Sequence, residues 1–140
     1  MLIQAPNDAD LRALLLASGS IAIVGISDKP DRPSYRVADW LIKNSHLKVY
    51  FVNPLLSELF GRPVYRSLSE IPDPIDIVDV FRNISDAPQV LEDSISIDAK
   101  TFWLQLGLSD QDIYDRAQSA EMNIVMNRCS KIEYERLIES

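Results

Sequence analysis

The chain has only one cysteine and one histidine among its 140 residues. A lone cysteine excludes an internal disulfide and fits a protein of the reducing cytoplasm. The lone histidine, His46, has no partner for a Cys/His metal site or for a catalytic triad, and no Gly-x-Ser-x-Gly elbow accompanies it. The sequence therefore predicts no metal centre and no hydrolase site, and we expect His46 to lie on the surface.

Positive charge is also scarce, because 14 lysines and arginines stand against 21 acidic residues and give a formal net charge of -7. Such an acidic chain disfavours nucleic acid or an anionic membrane as a main partner. The apolar stretch at residues 11–17 is too short to span a bilayer, and it follows acidic residues rather than the basic ones of a signal peptide. We expect a cytoplasmic protein.

Two kinds of segment alternate along the chain, with no repeat or linker to mark a domain boundary. Short apolar runs predict strands, and amphipathic segments of about ten to fifteen residues predict helices. Strands are expected at 20–26, 48–53, 63–65, 76–81, 100–105 and 123–126, and helices at 9–17, 34–44, 85–98, 109–121 and from 130 onward. This alternation predicts one α/β domain, residues 1–140, with a doubly wound parallel sheet of five to six strands between two layers of helices.

The most informative segment is the apolar run 21–26, which contains Gly25 and leads into a loop with three cations, Lys29, Arg32 and Arg36. A buried strand that enters a helix through such a loop is where α/β proteins bind phosphorylated ligands, because unpaired N–H groups and the helix dipole face the loop. In an open parallel sheet, the other strands end at the same edge. The sequence therefore predicts a nucleotide-like ligand at the carboxyl edge of the sheet.

Two features disfavour NAD or FAD as that ligand. Gly25 stands alone where a dinucleotide fingerprint has three glycines. The second strand ends in Asn53-Pro54, where NAD enzymes place an acid for the ribose. An enzyme that uses a nicotinamide nucleotide stays open as an alternative.

Six segments, in order, resemble the small single-domain CoA-binding protein family, which is related to the N-terminal CoA-binding domain of the succinyl-CoA synthetase α chain. They are Gly-Ile-Ser-Asp-Lys-Pro-Asp-Arg-Pro-Ser-Tyr-Arg-Val-Ala (25–38), Val-Asn-Pro (52–54), Gly-Arg-Pro-Val-Tyr (61–65), Asp-Ile-Val-Asp-Val-Phe-Arg (76–82), Trp-Leu-Gln-Leu-Gly (103–107) and Met-Asn-Arg-Cys (126–129). The resemblance covers nearly the whole chain. It implies a Rossmann-like fold and coenzyme A, or an acyl-CoA, as the ligand.

The resemblance also implies which residues bind that ligand. The first loop and the helix start would hold phosphates through Gly25, Ser27, Lys29, Arg32, Ser34, Tyr35 and Arg36. Asn53 and Pro54 would flank the adenosine end, and the pocket would be lined by Phe81, Arg82, Gln105, Leu106 and Gly107.

Serines mark three of the expected helix starts. Ser34 follows the first loop, while Ser109 and Ser130 each precede an acid at the spacing of a capping box. We expect all three to cap their helices. Cys129 would then lie at a helix start, where the dipole lowers a thiol pKa. It is either a small buried hydrophobe or a thiol able to form a mixed disulfide with CoA.

Two acids and a tryptophan have structural interpretations. Asp76 begins an expected strand and Asp79 lies in its middle, so hydrogen bonding within the fold is favoured over catalysis, and Arg82 is a candidate partner for either. Trp103, on a buried strand, is expected in the core.

These observations lead to a first hypothesis, a CoA-binding carrier, sensor or regulatory module without chemistry of its own. A domain that kept the fold, lost the ligand and binds a protein partner is a second hypothesis.

Overall fold

The computed structural model describes residue 3 and residues 6–139. This part of the chain forms five helices and seven strands. The helices are α1 (Asp8–Ala17), α2 (Pro33–Asn44), α3 (Ala87–Ser96), α4 (Gln111–Ser119) and α5 (Ser130–Tyr134), with single 3₁₀ turns at Leu68–Glu70 and Ile84–Asp86 and a π turn at Glu135–Glu139. The strands are β1 (Ser20–Val24), β2 (Lys48–Val52), β3 (Glu58–Leu59), β4 (Arg62–Tyr65), β5 (Ile77–Val80), β6 (Thr101–Leu104) and β7 (Asn123–Val125).

The seven strands form one sheet in the order β3-β4-β2-β1-β5-β6-β7. Every pairing is parallel except that of β3 with β4. From β1 the chain builds one side of the sheet through β2 and β4, and then returns to place β5 against the other side of β1. The strand order therefore reverses between β1 and β5, which is where α/β sheets open a crevice at their carboxyl edge.

Helices cover both faces of the sheet, so the fold is the expected Rossmann-like three-layer domain. Alternate residues of β1 point to opposite faces, and all five residues of this strand are buried. Ala22 and Val24 pack with α3 and α4, whereas Ile21 and Ile23 pack with α1 and α2. Burial on both faces explains why the parallel strands are continuous apolar runs rather than alternating ones.

The six strands and five helices expected from the sequence all occur, with ends shifted by a few residues. The sheet has one strand more than the six ranges expected, because β3 has only two residues and shows no periodicity. Its hairpin turn, Phe60-Gly61, has positive φ at both positions (54° and 70°). Such turns favour Asn-Gly, so the Phe-Gly pair gives no hairpin signal.

Buried tryptophan and surface histidine are both confirmed. Trp103 is fully buried, and its indole Nε1–H donates to the Arg128 carbonyl at 2.8 Å. His46 is exposed, but its ring joins two elements: Nε2–H donates to the Ser18 carbonyl at 2.7 Å, and Nδ1 lies 2.6 Å from the Tyr134 hydroxyl. His46 thus links the end of α1 to α5.

The prediction that Ser34, Ser109 and Ser130 cap their helices is wrong. Helix α2 begins earlier, at Pro33, with Arg32 as its N-cap. Helix α4 is capped by Asp110, whose Oδ1 accepts the Ile113 N–H at 3.0 Å. Helix α5 has Cys129 at its N-cap, with no side-chain cap. Ser34 and Ser130 direct their hydroxyls to partners elsewhere, as described below.

No helix among residues 3 and 6–139 is long and apolar enough to cross a membrane.

The α4 cap provides a stability test. Asp110→Ala removes the side-chain oxygen that pairs with an otherwise unpaired N–H, so we expect the free energy of unfolding to fall by about 1 kcal/mol. Ser109→Ala, one residue earlier, is the matched control and should change it by less than about 0.5 kcal/mol. Urea denaturation measures both. A larger loss for Ser109→Ala would contradict the cap assignment.

Candidate functional site

A cavity of about 590 Å³ lies at the carboxyl edge of the sheet, where β1, β5 and β6 end. We call it the edge cavity. It is lined by Gly25, Ser27, Lys29, Arg32, Pro33, Ser34, Val37, Phe81, Arg82, Gln105, Leu106, Leu108 and Cys129. It coincides with the reversal of strand order, the position that the fold makes available for a ligand.

Gly25 lies where the backbone at the end of β1 passes close to the backbone at the end of β5. Its φ of +89° is in the left-handed region, and a Cβ there would lie 2.8 Å from both the Phe81 carbonyl oxygen and the Arg82 Cδ. The first contact is with backbone, which a side-chain rotation cannot relieve. Only glycine therefore allows the chain to leave β1 in this direction while β5 ends beside it.

The loop between β1 and α2 is held together by its own serines. The Ser34 hydroxyl accepts the Ser27 N–H at 3.0 Å, and the Ser27 hydroxyl accepts the Lys29 N–H at 3.1 Å. In the part of the chain that the structure describes, the Lys29 and Arg32 side chains form no hydrogen bond or ion pair. Both line the edge cavity, so their charges are available to an anion.

Arg82 stands between the edge cavity and a smaller one. It pairs with Asp86 (Nη2 to Oδ2, 3.2 Å) rather than with Asp76 or Asp79. The smaller cavity, of about 230 Å³, shares Gly25 and Arg82 with the edge cavity. We call it the adjacent cavity, and its other lining residues are Val24, Val52, Pro54, Arg66, Ser67, Leu68, Asp86, Gln89, Val90 and Asp93.

A buried polar network lies beneath the edge cavity. Asp79 is fully buried, and its carboxylate accepts the Gln105 Nε2–H at Oδ1 and the Ser130 hydroxyl at Oδ2, both at 2.7 Å. Burial raises the pKa of Asp79 to about 7, and the two hydrogen bonds oppose this rise. Asp79 thus has the hydrogen-bonding role expected from the sequence. Ser130 is 1% exposed and serves this network instead of capping α5.

Cys129 lines the edge cavity and is 9% exposed. The expected lowering of its pKa is wrong. Burial raises the pKa of the thiol, and the backbone N–H groups of Ile132 and Lys131 only partly offset this effect. Helix α5 has just five residues, so its dipole is short. Formation of a mixed disulfide stays a prediction.

Four of the expected site residues do not line either cavity. Tyr35 packs its ring on Phe60, with centroids 4.7 Å apart. The Arg36 guanidinium donates to the Asp31 carbonyl at 2.8 Å.

The other two, Asn53 and Gly107, fix loops at the edge. The Asn53 side chain donates to the Ile26 carbonyl at 2.7 Å and accepts the Leu55 N–H at 2.8 Å. The Gly107 N–H donates to Asn127 Oδ1 at 2.7 Å. Pro54, next to Asn53, lines the adjacent cavity.

The sequence interpretation missed three residues of the edge cavity, Pro33, Val37 and Leu108. Val37 follows Ser34 by one helical turn, so helical spacing could have identified it. Arg66 and Ser67, in the adjacent cavity, follow the carboxyl end of β4 and obey the same rule that located the other loops.

Comparison with known proteins gives consistent matches. A family model described as a CoA binding domain matches residues 19–135. The uncharacterized protein YneT of Bacillus subtilis is 36% identical over 132 residues, which cover 94% of this chain and 97% of YneT. A solved structure of a hypothetical protein from Pyrococcus horikoshii has 35% identity and a TM-score of 0.90, covering 99% of this chain and 96% of that one.

A larger enzyme shares part of the chain. The ADP-forming acetate–CoA ligase of Methanocaldococcus jannaschii is 37% identical over 75 residues, which are 53% of this chain but only 10% of the ligase. The fold defines a Rossmann-like α/β domain with an open cavity at its carboxyl edge. The chain belongs to the CoA-binding domain family, which confirms the resemblance seen in the sequence.

The raised pKa of Asp79 predicts an unusual pH dependence of the free energy of unfolding. Its pKa rises from 3.8 to about 7 on folding, so between these values the folded state holds a proton that the unfolded state releases. The free energy of unfolding of the native protein therefore falls as pH rises through this window. Asp79→Asn keeps an acceptor for Gln105 but does not titrate.

We expect the stability of Asp79→Asn, relative to the native protein, to increase by on the order of 2 kcal/mol between pH 5 and pH 8. Urea denaturation at both pH values measures the difference, and the carboxyl groups common to both proteins cancel. A difference that stays constant with pH would show that Asp79 titrates normally.

The raised pKa of Cys129 predicts slow thiol chemistry. In the folded protein near neutral pH, we expect an aromatic disulfide reagent to label Cys129 more slowly than in urea. Burial limits both the formation of the thiolate and the access of the reagent to the sulfur. The rate should rise with pH. Cys129→Ser removes the only cysteine and gives the background. Equal rates in the folded and unfolded protein would contradict the burial.

Proposed function

We propose that this protein binds coenzyme A, free or acylated, in the edge cavity and acts as a carrier, sensor or regulatory module without chemistry of its own. One observation carries the proposal. Three cations, Lys29, Arg32 and Arg82, line the edge cavity, and none of its described lining residues is acidic. In a chain with a net charge of -7, this concentration of positive charge favours an anionic ligand.

The start of α2 is the proposed phosphate site. Pro33 and Ser34 line the cavity at the first turn of this helix of 12 residues. Backbone N–H groups in the first turn, to which Pro33 contributes none, have no partner within the helix, and the dipole there favours negative charge. With Lys29 and Arg32 beside them, these groups suit a pyrophosphate.

The rest of the edge cavity suits the neutral arm of coenzyme A. Val37, Phe81, Leu106, Leu108 and Cys129 give it an apolar side, as ligand pockets commonly have. The adenosine end is proposed to cross Gly25 and Arg82 into the adjacent cavity, beside Pro54. Tyr35, Arg36, Asn53 and Gly107 would act by holding the surrounding loops.

The family and the ligase relative support this ligand. Because the chain matches only 10% of the ligase, the ligase reaction itself is not carried over to this protein. We propose that binding occurs in the cytoplasm, where a lone cysteine stays reduced.

Calorimetric titration with coenzyme A tests the proposal. Lys29→Gln and Arg32→Gln should each weaken binding by about tenfold or more, because each removes a charged hydrogen-bond donor to phosphate. Lys100→Gln is the matched control, since Lys100 is exposed and precedes β6 at the opposite edge. Added salt should weaken binding in the native protein more than in either cavity variant.

The same titrations separate the other hypotheses. No heat with millimolar coenzyme A would contradict the proposal. An unchanged melting temperature with every nucleotide would favour a protein-interaction domain, since a ligand that binds only the folded state must raise it. Tighter binding of NADH than of coenzyme A would favour an enzyme that uses a nicotinamide nucleotide.

A further inference from the structure

The Gln105 side chain is a polar group built into the floor of the edge cavity. It is 6% exposed and lines the cavity beside Leu106 and Cys129. Its Nε2 donates to Asp79 Oδ1 at 2.7 Å and to Ser130 Oγ at 3.2 Å. Both hydrogens of the amide are therefore used, whereas its Oε1 has no partner among the described residues.

The amide is locked in this orientation. Above the raised pKa of Asp79, its ionised carboxylate only accepts hydrogen bonds, so it requires the NH₂ side of Gln105. Ser130 gives its own hydrogen to Asp79 Oδ2 at 2.7 Å, which leaves its lone pairs for Gln105. While Asp79 is ionised, rotating the amide by 180° would bring Oε1 against a carboxylate oxygen and break both bonds.

In this orientation, the only hydrogen bond that the Gln105 side chain can still make to a ligand is one that its Oε1 accepts. The side chains of Phe81, Leu106 and Cys129 offer no strong donor to the Gln105 Oε1, and the cations Lys29 and Arg32, which line the same cavity, form no hydrogen bond with it. Solvent can supply a donor only until a ligand displaces it, and a buried acceptor left without a donor is costly. A ligand that fills this side of the cavity is therefore selected for an N–H or O–H at that point.

We infer that Gln105 is a specificity-determining residue whose Oε1 accepts an N–H or O–H from the neutral arm of the ligand, with Asp79 and Ser130 as its positioning residues. This inference rests on the proposed function. Between its pyrophosphate and its thiol, the arm of coenzyme A carries one hydroxyl and two secondary amides. These O–H and N–H groups are stronger donors than the terminal S–H.

Two ligands test the inference by calorimetry at pH 8, above the pKa of Asp79: coenzyme A, and adenosine 3′,5′-bisphosphate, which has the nucleotide head without the arm. Gln105→Met should weaken coenzyme A about three- to tenfold, the effect of one neutral hydrogen bond, and leave the bisphosphate unchanged. Gln118→Met, exposed on α4, is the matched control and should change neither. Unchanged coenzyme A affinity, or equal losses for both ligands, would overturn the inference.

Gln105→Met removes one donor from the buried Asp79, so it can destabilise the fold. The double variant Asp79→Asn/Gln105→Met has no buried charge, and its new amide can still accept the Ser130 hydroxyl, so it should show the same selective loss. Acetyl-CoA is the last probe, because it has no S–H. If Gln105→Met no longer affects its affinity, the donor is the thiol and the inference is overturned.

These results also separate the inference from the proposed function. If the native protein binds neither ligand, both are overturned. If it binds coenzyme A and Gln105→Met binds it equally well, only the inference is overturned.

Discussion

The close approach of β1 and β5 at Gly25 is the constraint on which the site depends. These strands pair in parallel from Ile21 opposite Ile77 to Val24 opposite Val80, and the chain must then turn away from the sheet at once. The turn needs a positive φ and leaves no room for a Cβ against the Phe81 carbonyl. One glycine therefore sets both the exit of the first loop and the wall shared by the two cavities.

The distribution of charge follows from this geometry. The first loop uses its backbone N–H groups and serine hydroxyls to hold itself, so the long side chains of Lys29 and Arg32 need not serve that purpose. Arg82, by contrast, is partly neutralised by Asp86 at the border of the adjacent cavity. An acidic protein thus presents cationic side chains at the carboxyl edge of its sheet.

The sequence predicts the elements well where the signal is local, and poorly where a side chain has a distant partner. Buried strands such as β1 are recognisable because parallel sheets require continuous apolar runs. Ser130 has the spacing of a capping box, yet its hydroxyl bonds Asp79, 51 positions away along the chain. The rule that ligands bind at the carboxyl ends of parallel strands likewise locates the loops of the site, but it does not predict the direction of each side chain. Asn53 therefore lies at the expected edge, while its amide binds Ile26 instead of lining a cavity.

A buried carboxylate is an expensive element in a core. Burial penalises the ionised form of Asp79 strongly enough to raise its pKa to about 7, and an apolar residue of similar size could stabilise the domain at least as well. What an apolar residue cannot do is orient an amide. Asp79 and Ser130 together take up both donors of Gln105 and leave its acceptor without a partner among the described residues. Under the inference drawn for Gln105, this cost in stability is coupled to selectivity for the ligand. The hydrogen bonds of Asp79 thus connect three features: its own raised pKa, the lack of a serine cap on α5, and the position of Gln105 in the edge cavity.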